Sequence, residues 1–175
     1  ILTAAGKKTG MVCTDGIFID GKKIKEGDLG TAIGHLEVLT HRDAEVAVLE
    51  AHHRGILRRG FAFDYCDIGI CLNVSEDHLG VGFIESVEQM AKVKQAVPQR
   101  ARKAAILNAD DPHCLGMVSD MTAKSVCLVS MQHNHEQMMA QARCEADCFC
   151  LLELIDDDEW IVVYHAGRRM PVSSV

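Results

Sequence analysis

The sequence predicts an α/β fold: a mostly parallel sheet with flanking helices, plus short antiparallel hairpins. Three observations carry this. Five short runs, at residues 9–14, 45–51, 67–74, 103–108 and 124–130, are rich in Val, Ile, Leu and Cys. Near-continuous apolar runs of that length are the mark of strands buried on both faces of a parallel sheet. Helical patterns lie between them, and strand followed by helix, repeated, implies right-handed crossovers. Two further segments carry hairpin signals instead of helical ones.

In chain order, Gly6-Lys7-Lys8-Thr9 reads as a helix-to-strand turn with Gly6 at the C-cap. The first strand follows at 9–14. Residues 17–24 contain Asp20-Gly21, a tight-hairpin signal. Residues 32–40 form a helix before the strand at 45–51. After the strand at 67–74, residues 86–97 place Val87, Met90, Ala91 and Val93 at helical spacing, and Pro98 stops the helix. The strand at 103–108 leads into a helix at 111–119, which opens on Asp-Asp-Pro, a cap followed by proline in the first turn. The strand at 124–130 and a helix at 135–144 come next. Residues 148–163 give two apolar strands around the acidic run 156–159, a solvated turn. With no internal repeat, low-complexity tract or linker, residues 1–175 read as one domain.

A chain of this size buries a real core, roughly 70% of its unfolded surface. Its net charge of −7 argues against nucleic acid or an anionic membrane as a partner. No apolar run reaches the roughly 18 residues that span a bilayer. The start lacks the basic and apolar stretches of a signal peptide, so the expected location is cytoplasmic. Ile1 stands where an initiator Met is expected, which reads as an excised piece. None of the eight cysteines forms a C-x-x-C pair. Cys13, Cys71, Cys127, Cys148 and Cys150 sit in apolar runs and read as buried reduced thiols. Cys144, Cys148 and Cys150 with His133 and His135 have poor zinc spacing. Cys148 and Cys150 share one face of a strand, so burial is the preferred reading.

Polar groups gather at the carboxyl ends of the expected strands, the edge where open α/β sheets bind ligands. They are Thr14 and Asp15; Glu50 followed by His52, His53 and Arg54; Asn73 followed by Ser75, Glu76, Asp77 and His78; and Asn108, Asp110 and Asp111. An acid after a strand is usually a helix cap, and a lone histidine is more often packed than catalytic. Four strand ends of this kind in one chain point to a site. Glu50 and His78 suit a magnesium ion, which takes few protein ligands and keeps several waters. Arg54, Arg58 and Arg59 read either as a solvated helix face or as an anion clamp.

At this point the residues resemble a family. Thr14-Asp15-Gly16, Leu49-Glu50-Ala51, Gly55-Ile56-Leu57-Arg58-Arg59-Gly60, Asn73-Val74-Ser75-Glu76-Asp77-His78-Leu79-Gly80 and Leu107-Asn108-Ala109-Asp110-Asp111-Pro112 occur in order. They are similar to the Mur ligase central domain, and within that group to the ligase module of cyanophycin synthetases. The resemblance runs from about residue 4 to residue 130 and more weakly to the end. It implies a parallel-sheet ATP-binding domain and an ATP-dependent ligase. In that reaction ATP phosphorylates a carboxylate and an amine attacks the acyl phosphate to give an amide. By resemblance Glu50 and His78 are magnesium ligands. Lys94 matches the helix lysine that the family carries as a carbamate, with Lys92 in a neighbouring register. Asn108 and Asp111 lie on the nucleotide side. Thr14, Asp15, Arg58 and Arg59 are candidates for the substrate side, though the arginines could equally support the fold. The substrates are amino acids or peptides, with arginine and an aspartate side chain as the expectation.

The sequence also departs from the family. Gly6-Lys7-Lys8-Thr9 lacks the G-x-x-x-x-G-K-[ST] spacing of the phosphate loop. That loop, its strand and the small C-terminal domain are expected outside these residues. The chain by itself is therefore expected to be inactive, and an unpaired sheet edge is expected to favour self-association. Ala51-His52-His53-Arg54 replaces the more usual Thr-Ala-Arg-Gly. Two rival readings remain: a metal-dependent α/β hydrolase or phosphatase built on Glu50, Asp77 and His78, and a non-catalytic binding module.

Overall fold

Three of the four two-residue turns that join antiparallel strands share one conformation. In each, both central residues have positive φ: Asp20 and Gly21, Asp156 and Asp157, Ala166 and Gly167. That is the conformation whose twist matches paired strands. The computed structural model describes all residues except 77–79, 81–83, 133, 141, 143 and 145. The chain forms two compact units, Ile1–Asp64 and Tyr65–Val175.

In the first unit, β1 (Thr9–Cys13), β2 (Gly16–Ile19) and β3 (Lys22–Glu26) form an antiparallel meander. Helix α1 (Ala32–Leu39) returns the chain to β4 (Val46–Leu49), which pairs parallel to β1, giving the order β3-β2-β1-β4. Val12, Ile17 and Val38 are fully buried and pack with Leu29 and Leu49. Strand β3 is exposed throughout and carries Lys22, Lys23 and Lys25, charges that discourage edge-to-edge pairing. Ahead of β1, the Gly6 amide donates to the Thr3 carbonyl and the Lys7 amide to the Leu2 carbonyl, with Gly6 at φ 76°. Those bonds are the pattern of a C-capping glycine, as expected at Gly6, but they close a turn and no helix precedes β1. Helix α2 (His53–Arg59) follows β4.

The second unit begins with β5 (Cys66–Cys71), α3 (Val87–Gln95) and β6 (Ala101–Asn108). It continues with α4 (Pro112–Gly116), β7 (Ser125–Ser130), α5 (His135–Met139) and β8 (Cys148–Ile155), then ends in β9 (Asp158–His165) and β10 (Arg168–Ser174). The sheet order is β10-β9-β8-β7-β6-β5. Strands β5 to β8 are parallel to one another, and β9 and β10 are antiparallel additions. Ala105, Leu107, Val126, Leu128, Phe149 and Leu151 form the buried sheet face, with Met90, Cys114 and Met138 from the helices. No helix is long and apolar enough to cross a membrane among the described residues.

The five expected strands and both hairpins are present, with three differences. The strands are shared between two sheets: β1 and β4 in one, β5, β6 and β7 in the other. Burial on both faces does not extend to β5, an edge strand on which Ile68 (53% exposed), Ile70 (50%) and neighbouring Leu72 (50%) are open. The helices expected at 111–119 and 135–144 are single turns, because α4 gives way to a 3-10 turn at Val118–Asp120 and α5 ends at Met139.

Gly69 of β5 is buried against the turn that starts at Pro98. A methyl group there would lie 2.7 Å from Pro98 Cα and 2.8 Å from the Val97 carbonyl oxygen. Gly69→Ala is expected to destabilise the protein by about 1–3 kcal/mol, although alanine is ordinarily the better strand residue. Urea unfolding checks this, and an unchanged or higher midpoint would contradict the packing.

Candidate functional site

Each unit carries its own share of the candidate residues. In the first, Thr14 and Glu50 follow the carboxyl ends of the paired parallel strands β1 and β4, whose register runs to Val12 opposite Leu49. Register therefore brings the two together, and the Thr14 amide donates to Glu50 Oε2 at 3.0 Å. The other carboxylate oxygen accepts no hydrogen bond from the described residues. Glu50 is exposed, and so is Asp15 in the β1–β2 turn.

The backbone around Glu50 is held on the protein side. Its amide donates to the Val12 carbonyl at 3.0 Å, the last bond of the β1–β4 ladder. Its carbonyl accepts from His35 Nε2 at 2.8 Å. Burial pushes the His35 imidazole below its ordinary pKa; the bond to Glu50 opposes this and nearby His52 adds to it. His52 is the N-cap of α2, where its Nδ1 accepts the Gly55 amide at 2.9 Å. Its Nε2 stands 3.5 Å from Asp28 Oδ1. Arg58 and Arg59 are exposed in the last turn of α2 and form no ion pair among the described residues. Cations there complement the helix dipole.

In the second unit, three polar residues at the end of β6 tie the sheet edge together. Asn108 donates through Nδ2 to the Leu72 carbonyl at 2.9 Å and accepts the Asp110 amide at 2.9 Å. Asp110 accepts from the Ser130 hydroxyl at 2.5 Å and from the Met131 amide at 2.8 Å, which joins β6 to the end of β7. Asp111 accepts the Val74 amide at 2.6 Å and caps α4 through the His113 and Cys114 amides at 2.9 and 3.0 Å. Partial burial works against ionisation of Asp111. The Cys114, Val74 and His113 amides, with the nearby His113 ring, outweigh it and hold the carboxyl below the usual range.

Lys94, in the last turn of α3, donates to the Asn73 carbonyl at 3.0 Å and reaches Asn73 Oδ1 at 3.5 Å. It therefore shares the β5–β6 edge with Asn108 and Asp111, whereas Lys92 is exposed on the same helix. His78, Asp77 and His133 lie outside the described residues. Among the described residues no group of three or more His, Cys, Asp or Glu could hold a metal, and all eight cysteines are free. Of the cysteines expected inside, Cys71 is buried, while Cys13, Cys127, Cys148 and Cys150 are half-buried.

Sequence reasoning missed His35, which sits in an apolar helix and gives no signal of its contact, and the pairing of Asp28 with His52. It also missed the staple roles of Asn108 and Asp110. Those were recoverable in part, since Asn and Asp after a strand commonly bond nearby backbone.

A model of the Mur ligase middle domain matches residues 1–158. The chain belongs to the Mur ligase middle-domain family. It is 43% identical over 126 residues to a cyanophycin synthetase of Geminocystis herdmanii, a match that covers 71% of this chain and 14% of that protein. Identity to a cyanophycin synthetase of Crocosphaera subtropica is also 43%, over 138 residues, covering 78% of this chain and 16% of that protein. The chain thus spans about one-seventh of the length of these relatives. The solved structure of a UDP-N-acetylmuramoyl-L-alanyl-D-glutamate–2,6-diaminopimelate ligase matches with a TM-score of 0.67 and 22% identity, over 98% of this chain and 34% of that one. At that identity it shows the fold alone.

Asp111→Ala removes a cap and the tie to Val74. It is expected to cost about 1–2 kcal/mol at pH 7. Because the folded pKa is depressed, the stability that Asp111 adds is complete above the ordinary value of 3.8 and fades as pH falls through the lower folded value. The gap between wild type and variant should therefore narrow in acid. Urea titrations at pH 7 and pH 3 read this, and a gap that widens in acid contradicts it.

Proposed function

We propose that the chain is the central part of an ATP-dependent carboxylate–amine ligase working through an acyl phosphate. The observation that carries the reading is the Glu50 carboxylate, held by one backbone amide at the carboxyl end of a parallel strand with its second oxygen open. Membership of the Mur ligase middle-domain family supplies the reaction class. A hard, open carboxylate oxygen fits magnesium. Glu50 would hold that ion; His78, which the resemblance also names as a magnesium ligand, lies outside the described residues. When bound, magnesium supplies charge neutralisation for the phosphoryl group of ATP.

The chain's own residues do the rest. Lys94 brings a cation to the β5–β6 edge and, as a carbamate, would offer oxygen ligands in place of its amine. Asn108 and Asp111 fix the backbone on the nucleotide side, since their polar atoms already bind main-chain groups. Arg58 and Arg59, free of described ion pairs, suit the carboxylate of an amino-acid or peptide substrate. Thr14 and Asp15 border the same unit's Glu50. An ATP-consuming ligase of this kind works in the cytoplasm.

Calorimetry with Mg–ATP tests the reading on two proteins: this chain, and a version extended upstream in the parent gene. The extended version is expected to bind, and Glu50→Gln to weaken the magnesium requirement at least tenfold, about 1.4 kcal/mol. Absence of binding by both would sink the ligase reading and favour a binding module. The open β5 edge also makes self-association of the isolated chain the expected behaviour. A strictly monomeric sedimentation profile at high concentration would rule that out.

A further inference from the structure

We propose that His35 is a positioning residue for Glu50, fixing the peptide on which the carboxylate is mounted. The inference rests on the reading of Glu50 as a metal-binding carboxylate and assigns that site a supporting residue. The β1–β4 ladder ends with the Glu50 amide bonded to Val12, and the Glu50 carbonyl lies beyond it. His35 supplies the donor that the ladder does not, at 2.8 Å. Thr14 holds the carboxylate of the same residue at 3.0 Å. Glu50 is thus gripped at both ends, main chain by His35 and side chain by Thr14.

The choice of histidine is otherwise difficult to explain. The ring is 1% exposed, and its Nδ1 has no hydrogen-bond partner among the described residues. A buried polar atom left unpaired is unfavourable. Leucine or methionine would fill the space without that cost, but neither donates to a carbonyl. The surroundings are built to bring the ring close. A methyl group on Gly34, the residue before His35, would fall 2.1 Å from the Leu29 carbonyl oxygen, so α1 is pressed against the preceding loop. A methyl group on Gly30 would fall 3.1 Å from His52 Cδ2 and 3.2 Å from the Glu50 carbonyl oxygen. On the other side of Glu50, the His52 amide donates to the Gly30 carbonyl and the His52 ring caps α2. Two imidazoles and two glycines therefore lock the turn from β4 into α2.

The Thr14 amide proton reports on Glu50, and nuclear magnetic resonance of this chain reads it. Glu50→Ala defines its resonance without the carboxylate. His35→Leu, which removes the donor, is expected to move the Thr14 amide most of the way to that position. His35→Gln, which retains a donor, should leave it near the wild-type position. A merely space-filling His35 predicts the reverse order, with Leu tolerated better than Gln, and that result overturns the proposal. A measurement needing no variant stands beside it. Imidazole nitrogen shifts of the wild type should show His35 protonated at Nε2 and bare at Nδ1, and the opposite tautomer overturns the proposal. Line broadening by Mn²⁺ at Glu50 separately checks the ligand role. Its absence with the Thr14 response intact removes the metal reading and still supports His35 as the residue that positions Glu50.

Discussion

Parallel strands end in backbone groups that their neighbours do not satisfy. At the carboxyl edge of the six-stranded sheet, side chains at and just beyond the end of β6 take over that task. Asn108 reaches back to Leu72 beyond β5, Asp110 reaches across to Ser130 and Met131 after β7, and Asp111 binds Val74 while starting α4. Strands β5, β6 and β7 are therefore tied at one end by side chains of a single short segment. The described candidates of this unit depend on it: Asn108 and Asp111 make the ties, and Lys94 is aimed at Asn73, one residue from both tied points.

The four-stranded unit solves the same problem differently. Its strand end is completed by residues from the helix that crosses the sheet and from the loop before it. Helix α1 is mostly apolar, with Glu37 paired to Lys25 on its exposed side, and nothing in that pattern announces the buried contact that His35 makes. The imidazole of His35 behaves as part of the core in sequence and as a hydrogen-bond donor in the structure.

Much of the fold was legible in the sequence for local reasons. Asp20-Gly21 signalled a turn with positive φ, and Pro98 barred the helix from running on: α3 ends at Gln95 and Pro98 opens a 3-10 turn. Helix α2 was harder to read because its cap is a histidine and not Ser, Thr, Asp or Asn. Strand β10, with Arg168 and Arg169 at one end, Ser173 and Ser174 at the other and Pro171 between them, had no apolar run to announce it. The sharing of strands between two sheets follows from non-local pairing, which no window of sequence records. Within the candidate site, residue types at strand ends were readable. Their partners were not, because Glu50 with Thr14 and Asn108 with Leu72 are each separated by 36 residues.

The meander β8–β9–β10 has a kinetic consequence. Its two pairings each close a loop of only two residues, Asp156-Asp157 and Ala166-Gly167, whereas β5 and β6 must close the whole segment from Cys71 to Ala101. Loop closure entropy grows with that distance, and local pairings form faster. The expected order of assembly therefore runs from the carboxyl end of the chain inward. The antiparallel ribbon comes first as a template, β7 and β6 add to it, and β5, the strand that ends beside Asn73 and Lys94, arrives last.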